Sequence, residues 1–302
     1  MKPPVGNVSL PKLPSDEKQG CSVAEFHFGA IVCSNPESER ISRHQTDRAR
    51  TRTMSSVQAQ EKFFRSGGRS PSDLRPVRLT PGFVATAEGS VLIEVGNTRV
   101  LCNATVEQGV PAWLRNSGRG WVTAEYGMLP RATLTRSLRE SERGKVGGRT
   151  HEIQRLIGRS LRAVVDMQAL GERTVILDCD VLQADGGTRA AAITGACAAL
   201  AIAFNRMLAA DALKASPLKQ LVAATSVGIV EDTALLDLAY EEDSQAEVDM
   251  NVVMTASGGL VETQATAERG TYTRAQMDEM LDVAESGIRD LLVAQKSCLS
   301  MG

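Results

Sequence analysis

ILDCDVLQADGGTRAAAITGACAALAIAFNRM, residues 176–207, decides the fold. Its first part completes a strand, RTVILDCDVLQ (173–183), in which apolar and polar side chains alternate. Its second part, 188–207, is built from small residues and is apolar nearly all round, so it reads as a buried helix. A glycine pair, Gly186-Gly187, makes the turn between them. Asp178 and Asp180 share one face of the strand, as a supporting shell or a solvated edge.

Upstream, HEIQRLIGRSLRAVVDM (151–167) is a helix with Ile153, Leu156, Ile157, Leu161, Val164 and Val165 in one stripe. Arg155, Arg159 and Arg162 share another face. SVLIEV (90–95) and TRVLCNATV (98–106) alternate around Gly96-Asn97, a hairpin signal. Downstream, LVAATSVGIV with ALLDLAY and VDMNVVMT with LVETQATAE read as two further strand pairs, the second turning at Ser257-Gly258-Gly259. A last helix starts at Thr273, where Gln276 completes a capping box, and runs to about Leu299. Helices between hairpins predict an α+β domain, a mixed sheet packed by helices, over 73–302. Residues 1–72 are rich in Ser, Pro and Arg and predict a disordered extension, with Met54 an alternative start.

The net charge of −2 conceals an asymmetry. Residues 115–162 carry 11 basic and 4 acidic side chains; residues 163–302 carry 9 and 21. A local basic block points to a polyanion on one surface. No apolar run reaches the roughly 20 residues of a membrane span, and the first 30 residues lack a secretory pattern. The cysteines are widely spaced, without a C-x-x-C pair, which predicts a reducing compartment, the cytoplasm.

Two segments place Gly-Gly before a helix with Arg and Thr in its first turn: VGGRT (146–150) and DGGTR (185–189). Free N–H groups, the helix dipole and an Arg fork make each a candidate anion site, and the two are candidates for a single phosphate. Neither is a Walker A loop or a dinucleotide fingerprint. In EEDSQAEVDMNVVM (241–254), Asp243, Glu247 and Asp249 are candidate Mg²⁺ ligands or an acidic strand end. His151 is alone in the folded part, which argues against a His-based nucleophile or a zinc site. The inventory suits phosphoryl transfer, where positioning and charge supply most of the rate.

GWVTAEYGMLPRAT, GKVGGRTHEIQRLIGRSLRAVVD, LDCDVLQADGGTRAAAITGA and EEDSQAEVDMNVVMT resemble segments of the ribonuclease PH family, and the similarity runs from about Leu74 to Leu299. The resemblance implies a ribosomal protein S5 domain 2-like fold assembled as a homohexameric ring. It implies a phosphorolytic 3′→5′ exoribonuclease, a tRNA nucleotidyltransferase that trims tRNA precursors with inorganic phosphate and releases nucleoside diphosphates. By motif, Arg149, Gly187, Thr188 and Arg189 correspond to phosphate-binding positions. Asp243 and Asp249 correspond to the catalytic, Mg²⁺-associated pair. Arg131, Arg136 and Arg139 correspond to loop arginines that guide RNA. The alternative is a non-catalytic, RNA-binding, exosome-type ring subunit, which would lack some of these residues.

Overall fold

The computed structural model describes Arg65 and residues 67–301 apart from 141 and 143. The expectations for residues 1–64, including disorder and a start at Met54, lie outside the described residues. The chain runs β1 (Val77–Pro81), β2 (Gly89–Val95), β3 (Thr98–Gln108), β4 (Trp121–Met128), α1 (Gly148–Val164), α2 (Met167–Leu170), β5 (Arg173–Gln183), α3 (Thr188–Ala209), β6 (Val222–Val230), β7 (Thr233–Leu236), α4 (Tyr240–Asp243), β8 (Val248–Thr255), β9 (Leu260–Ala267) and α5 (Arg274–Leu299).

The strand and helix at 176–207 form as read. β5 lies between β3 and β4 in a five-stranded sheet of order β1-β2-β3-β5-β4, antiparallel throughout except for the parallel β4–β5 pair. This is the expected mixed sheet. The strands after α3 do not extend it; they form a second, antiparallel sheet, β7-β6-β8-β9. The reason is α3, which packs on β2 and β3 on one side and on β6 on the other. A helix apolar all round needs a wall on each side.

Small residues let those walls close in. A Cβ on Gly89 would collide with the Ala199 carbonyl, and one on Gly195 would stand 2.7 Å from Ile93 Cγ2. Ile193, Leu200 and Phe204 of α3 are fully buried, each contributing about 1.5–3 kcal/mol of transfer free energy. By length and apolarity α3 would also suit a bilayer, but here it is the core helix of the body. α5 closes the second sheet, its start fixed by the predicted box: Gln276 N–H donates to Thr273 Oγ1 at 3.2 Å, and Thr273 N–H donates to Gln276 Oε1 at 2.8 Å.

The boundary of the extension is corrected. Arg65 is buried to 3 % exposure against Glu242, Arg69 bonds the same carboxylate, and Leu236 N–H donates to the Pro71 carbonyl at 2.8 Å. Composition reads RSGGRSPSD as unable to bury apolar surface, which it does not do. It docks through guanidinium groups instead, and their partners lie about 170 positions away in the sequence.

Candidate active site

Gly186 and Gly187 end β5 and start α3 in the left-handed region, at φ 77° and 65°. Only glycine adopts that region freely. A Cβ on Gly186 would also overlap the Leu238 carbonyl, so the loop lies directly on the segment that leads into α4. Gly187 has no side chain to cap α3 and no acid stands in the first turn, which leaves the helix's N–H groups and positive dipole end open to an anion. Thr188 is held from below: Tyr126 of β4 donates its hydroxyl to Thr188 Oγ1 at 2.9 Å. Burial pushes the Tyr126 phenol up, so it stays a neutral donor.

The loop opens on a cavity of about 580 Å³ lined by Arg149, Gly187, Thr188, Arg189, Asp243 and Asp249, among others. Of the predicted positions, the phosphate set and the carboxylate pair therefore meet in one place. Arg189 Nη1 donates to Gln264 Oε1 at 3.0 Å and stands 3.6 Å from Glu152 Oε1, so its fork is aimed before any ligand arrives. Arg149 sits in the first turn of α1 and reaches the cavity from an exposed position.

The two glycine pairs do not converge. Gly147 and Gly148 are not cavity residues; Glu140 accepts the Gly147 N–H at 3.2 Å and the Thr150 hydroxyl at 2.6 Å. A carboxylate of the chain already serves this helix start, and only Arg149 of the VGGRT segment faces the cavity. Glu247 is likewise absent from the lining, while Asp243 and Asp249 are in it.

The two acids sit in a shared field. Burial pushes Asp249 up to about 6, the negative charge of Asp243 adds to the rise, and Arg189 opposes it. Burial also raises Asp243, while Arg149 and Arg189 pull it back. Glu268 contributes repulsion to both and lines the cavity. Among the described residues, no group of three or more His, Cys, Asp or Glu could hold a metal ion by itself. Two carboxylates fit a Mg²⁺ ion that keeps several of its waters, and they do not fit a closed zinc cage.

Arg131, Arg136 and Arg139 lie outside the lining, exposed on the connection between β4 and α1. Thr133 of the same connection does line the cavity. Arg131 donates to the Leu134 carbonyl at 2.8 Å, and Arg136 stands 3.6 Å from Glu142. The arginine face of α1 is divided. Arg155 is free to solvent, Arg159 pairs with Glu262 at 3.0 Å, and Arg162 stacks 4.5 Å over the Trp121 ring. His151 is exposed beside Gln154, and Asp178 and Asp180 stand on the outer face of β5 away from the cavity, burial raising both carboxyls.

Tyr126, Glu268 and Asn251 are site residues that the sequence did not mark. Tyr126 sits inside an alternating strand, where its period matches a core position, so no local signal separates it.

Residues 73–204 match the model of the 3′ exoribonuclease family, domain 1, and residues 220–287 match its domain 2. A ribonuclease PH of Solibacter usitatus is 59 % identical over 236 residues, covering 78 % of this chain and 99 % of the relative. One from Bacillus cereus is 57 % identical over 237 residues, covering 78 % and 97 %. Among solved structures, an Archaeoglobus fulgidus exosome with RNA bound to the active site matches with a TM-score of 0.66 at 24 % identity, covering 81 % of this chain and 96 % of that one. Rice (Oryza sativa) Rrp46 matches with a TM-score of 0.65 at 22 % identity, covering 78 % and 100 %. At such identities these two speak for the fold alone.

Proposed function

The chain belongs to the 3′ exoribonuclease family, and from that premise we infer that it is a phosphorolytic 3′→5′ exoribonuclease of the ribonuclease PH type. We propose further that it trims tRNA precursors, works in the cytoplasm as a homohexamer and uses Mg²⁺. The observation that carries the chemistry is one cavity with Arg149, Arg189 and an open helix start facing Asp243 and Asp249.

Inorganic phosphate is the nucleophile in this reading. An oxygen of phosphate attacks the phosphorus of the last phosphodiester, the bond from phosphorus to the 3′ oxygen breaks, and a nucleoside 5′-diphosphate leaves. The shortened RNA keeps its 3′ oxygen, which takes up a proton. Arg149, Arg189, Thr188 and the N–H groups after Gly187 hold phosphate in place, turning a bimolecular encounter into an oriented one. This reading assigns the proton to Asp243, which ends α4 and lines the cavity. Asp243 and Asp249 would hold Mg²⁺, which supplies charge neutralisation for the scissile group.

The hexamer rests on charge. A basic block of net +7 beside a remainder of net −12 repels much of a long RNA in a single chain. A ring that gathers the 131–139 connections toward one opening focuses the positive field. Sedimentation showing a monomer that trims at full rate would remove that part.

The chemistry is tested with a 3′-tailed RNA incubated with and without phosphate. Nucleoside diphosphates appear only with phosphate, and excess diphosphate extends the 3′ end. Release of nucleoside monophosphates in water alone would indicate a hydrolase. A ring subunit without turnover, the second reading, has no use for two carboxylates beside a phosphate loop.

A further inference from the structure

Residues 65–75 have no part in the chemistry above, yet they carry two buried ion pairs. The Arg65 fork meets Glu242 with Nε donating to Oε1 at 2.7 Å and Nη2 to Oε2 at 2.6 Å. Arg69 Nη2 adds a bond to Oε2 at 3.0 Å. The same oxygen accepts the Ala239 N–H at 2.8 Å, which fixes the first turn of α4. Asp243 closes that turn, donating its N–H to the Ala239 carbonyl at 2.8 Å. The cavity carboxylate is thus the next residue after the clamped one, on the same single turn.

The second pair faces the other half of the site. Arg75 gives Asp237 three bonds: N and Nε to Oδ2 at 2.8 and 2.9 Å, and Nη2 to Oδ1 at 2.6 Å. The rest of its guanidinium turns to the phosphate loop, with Nη1 donating to the Asp185 carbonyl and Nη2 to the Gly186 carbonyl at 3.4 Å. Thr98 braces the same carbonyl of Gly186 at 2.7 Å. Asp237 itself is left-handed at φ 53°, where the chain turns from β7 toward α4. Arg65 and Arg69 both donate to its carbonyl, at 3.0 and 3.1 Å.

Buried pairs of this kind give little net stability, because desolvation offsets much of their attraction. A bidentate fork does fix distance and angle. We propose that residues 65–75 are a positioning strap in which Arg65 sets Asp243 through Glu242 and Arg75 sets the phosphate loop through Asp185 and Gly186. The proposal rests on the phosphorolytic reading of the cavity. Neither arginine lines that cavity, so both act through other residues.

The two halves separate kinetically. Full-length R65Q, R65K, R75K and R65Q/E242Q are compared with the wild type for phosphate-dependent release of nucleoside diphosphates, per folded molecule. R65Q lowers kcat about ten- to a hundredfold with phosphate KM held within about twofold, the penalty of a carboxylate displaced by roughly an ångström. R65K recovers part of the loss, since lysine keeps the charge without the fork. R75K raises phosphate KM about tenfold and moves kcat less. A strap that serves only stability lowers the melting temperature of these variants and leaves both constants within about twofold; that result overturns the proposal. If R65Q does not fold, R65Q/E242Q, in which the fork and its carboxylate are both neutral and Arg69 keeps Asp237 at 3.7 Å, carries the same reading, and its failure to fold as well also overturns it. A wild type that releases no diphosphates in phosphate overturns the phosphorolytic reading itself, and the strap with it.

Discussion

Two clusters of charge share α4, which gives Glu242 to one and Asp243 to the other, and they are built from the same residue types. In the strap, Arg65, Arg69 and Arg75 meet Glu242 and Asp237, and each carboxylate oxygen accepts from a guanidinium. In the cavity, Arg149, Arg189, Asp243 and Asp249 face one another with no ion pair among those four. Burial pushes the carboxyls of both clusters upward. In the strap, Arg75 outweighs it at Asp237 and Arg65 at Glu242, leaving both below their ordinary range. In the cavity burial prevails, with Asp243 raised and Asp249 at about 6. Equal chemistry reaches opposite ends because one cluster is neutralised by its own chain. The other keeps its carboxylates out of ion pairs with its arginines.

The largest effect follows from breaking the paired cluster. Asp237→Ala leaves the Arg75 guanidinium buried without its carboxylate, and unfolding by denaturant should show a loss of about 3–5 kcal/mol. The pH sign is set by the lowered carboxyl. Its contribution is present above the unfolded value near 3.8 and is lost as pH falls through the lower folded value. The wild type should therefore lose this part of its stability only below about pH 4. A variant as stable as the wild type at pH 7 would show that the pair contributes nothing.

The unpaired cluster should respond the other way. A carboxyl raised in the folded state supplies stability below its unfolded pKa and loses it as pH rises through about 6. At pH 7 the charged Asp249 then costs the ligand-free protein about 3 kcal/mol. Asp249→Asn should recover much of that in a melting experiment without phosphate or Mg²⁺, and turnover should be abolished. Below about pH 4 the gain should vanish. An equal gain at pH 4 and pH 7 would place its cause in packing rather than charge.

The same contrast explains what was legible in the sequence. The cavity could be read because its parts are local: DGGTR turns a strand into a helix within five residues, and Asp243 and Asp249 sit in one short segment. The strap could not. Arg65 and Glu242 are 177 positions apart, and nothing in RSGGRSPSD signals burial, since its buried groups are guanidiniums in a polar run. VGGRT misled for a related reason. Its helix start looks as open as that of DGGTR, but Glu140 arrives from the preceding loop to occupy it. The second sheet escaped because strand periodicity shows pairing partners and not which side of α3 they fall on.

Within the cavity, Arg189 offers a middle-sized effect. Its fork is pre-aimed by Gln264 and Glu152 but keeps cavity exposure. Arg189→Ala should weaken phosphate use by about 1.5–3 kcal/mol, roughly ten- to a hundredfold. Folding stability should move little, because the Glu152 contact is half exposed. Phosphate KM, RNA affinity and melting temperature, measured together, check the separation. A stability loss as large as that of Asp237→Ala would erase the distinction between the clusters.

The smallest effects belong to the arginines that join neither cluster. Arg131, Arg136 and Arg139 are exposed, and the Arg136–Glu142 pair at 3.6 Å lies between side chains that are both about half open to solvent. Such a pair contributes about 0–1 kcal/mol, so removing Arg136 leaves the fold as it was. In the proposed function each of the three meets an RNA phosphate, a contact that releases counterions rather than reading a base. Arg136→Ala should then lower RNA affinity by a few fold and reduce the slope of log affinity against log salt by about 1. Phosphate KM should hold, since the side chain stands outside the cavity lining. Filter binding of a 3′-tailed RNA across a salt series checks this, with the triple variant showing about three times the change in slope. A rise in phosphate KM that matched the loss of RNA affinity would put Arg136 in the cavity cluster and undo its placement on the loop.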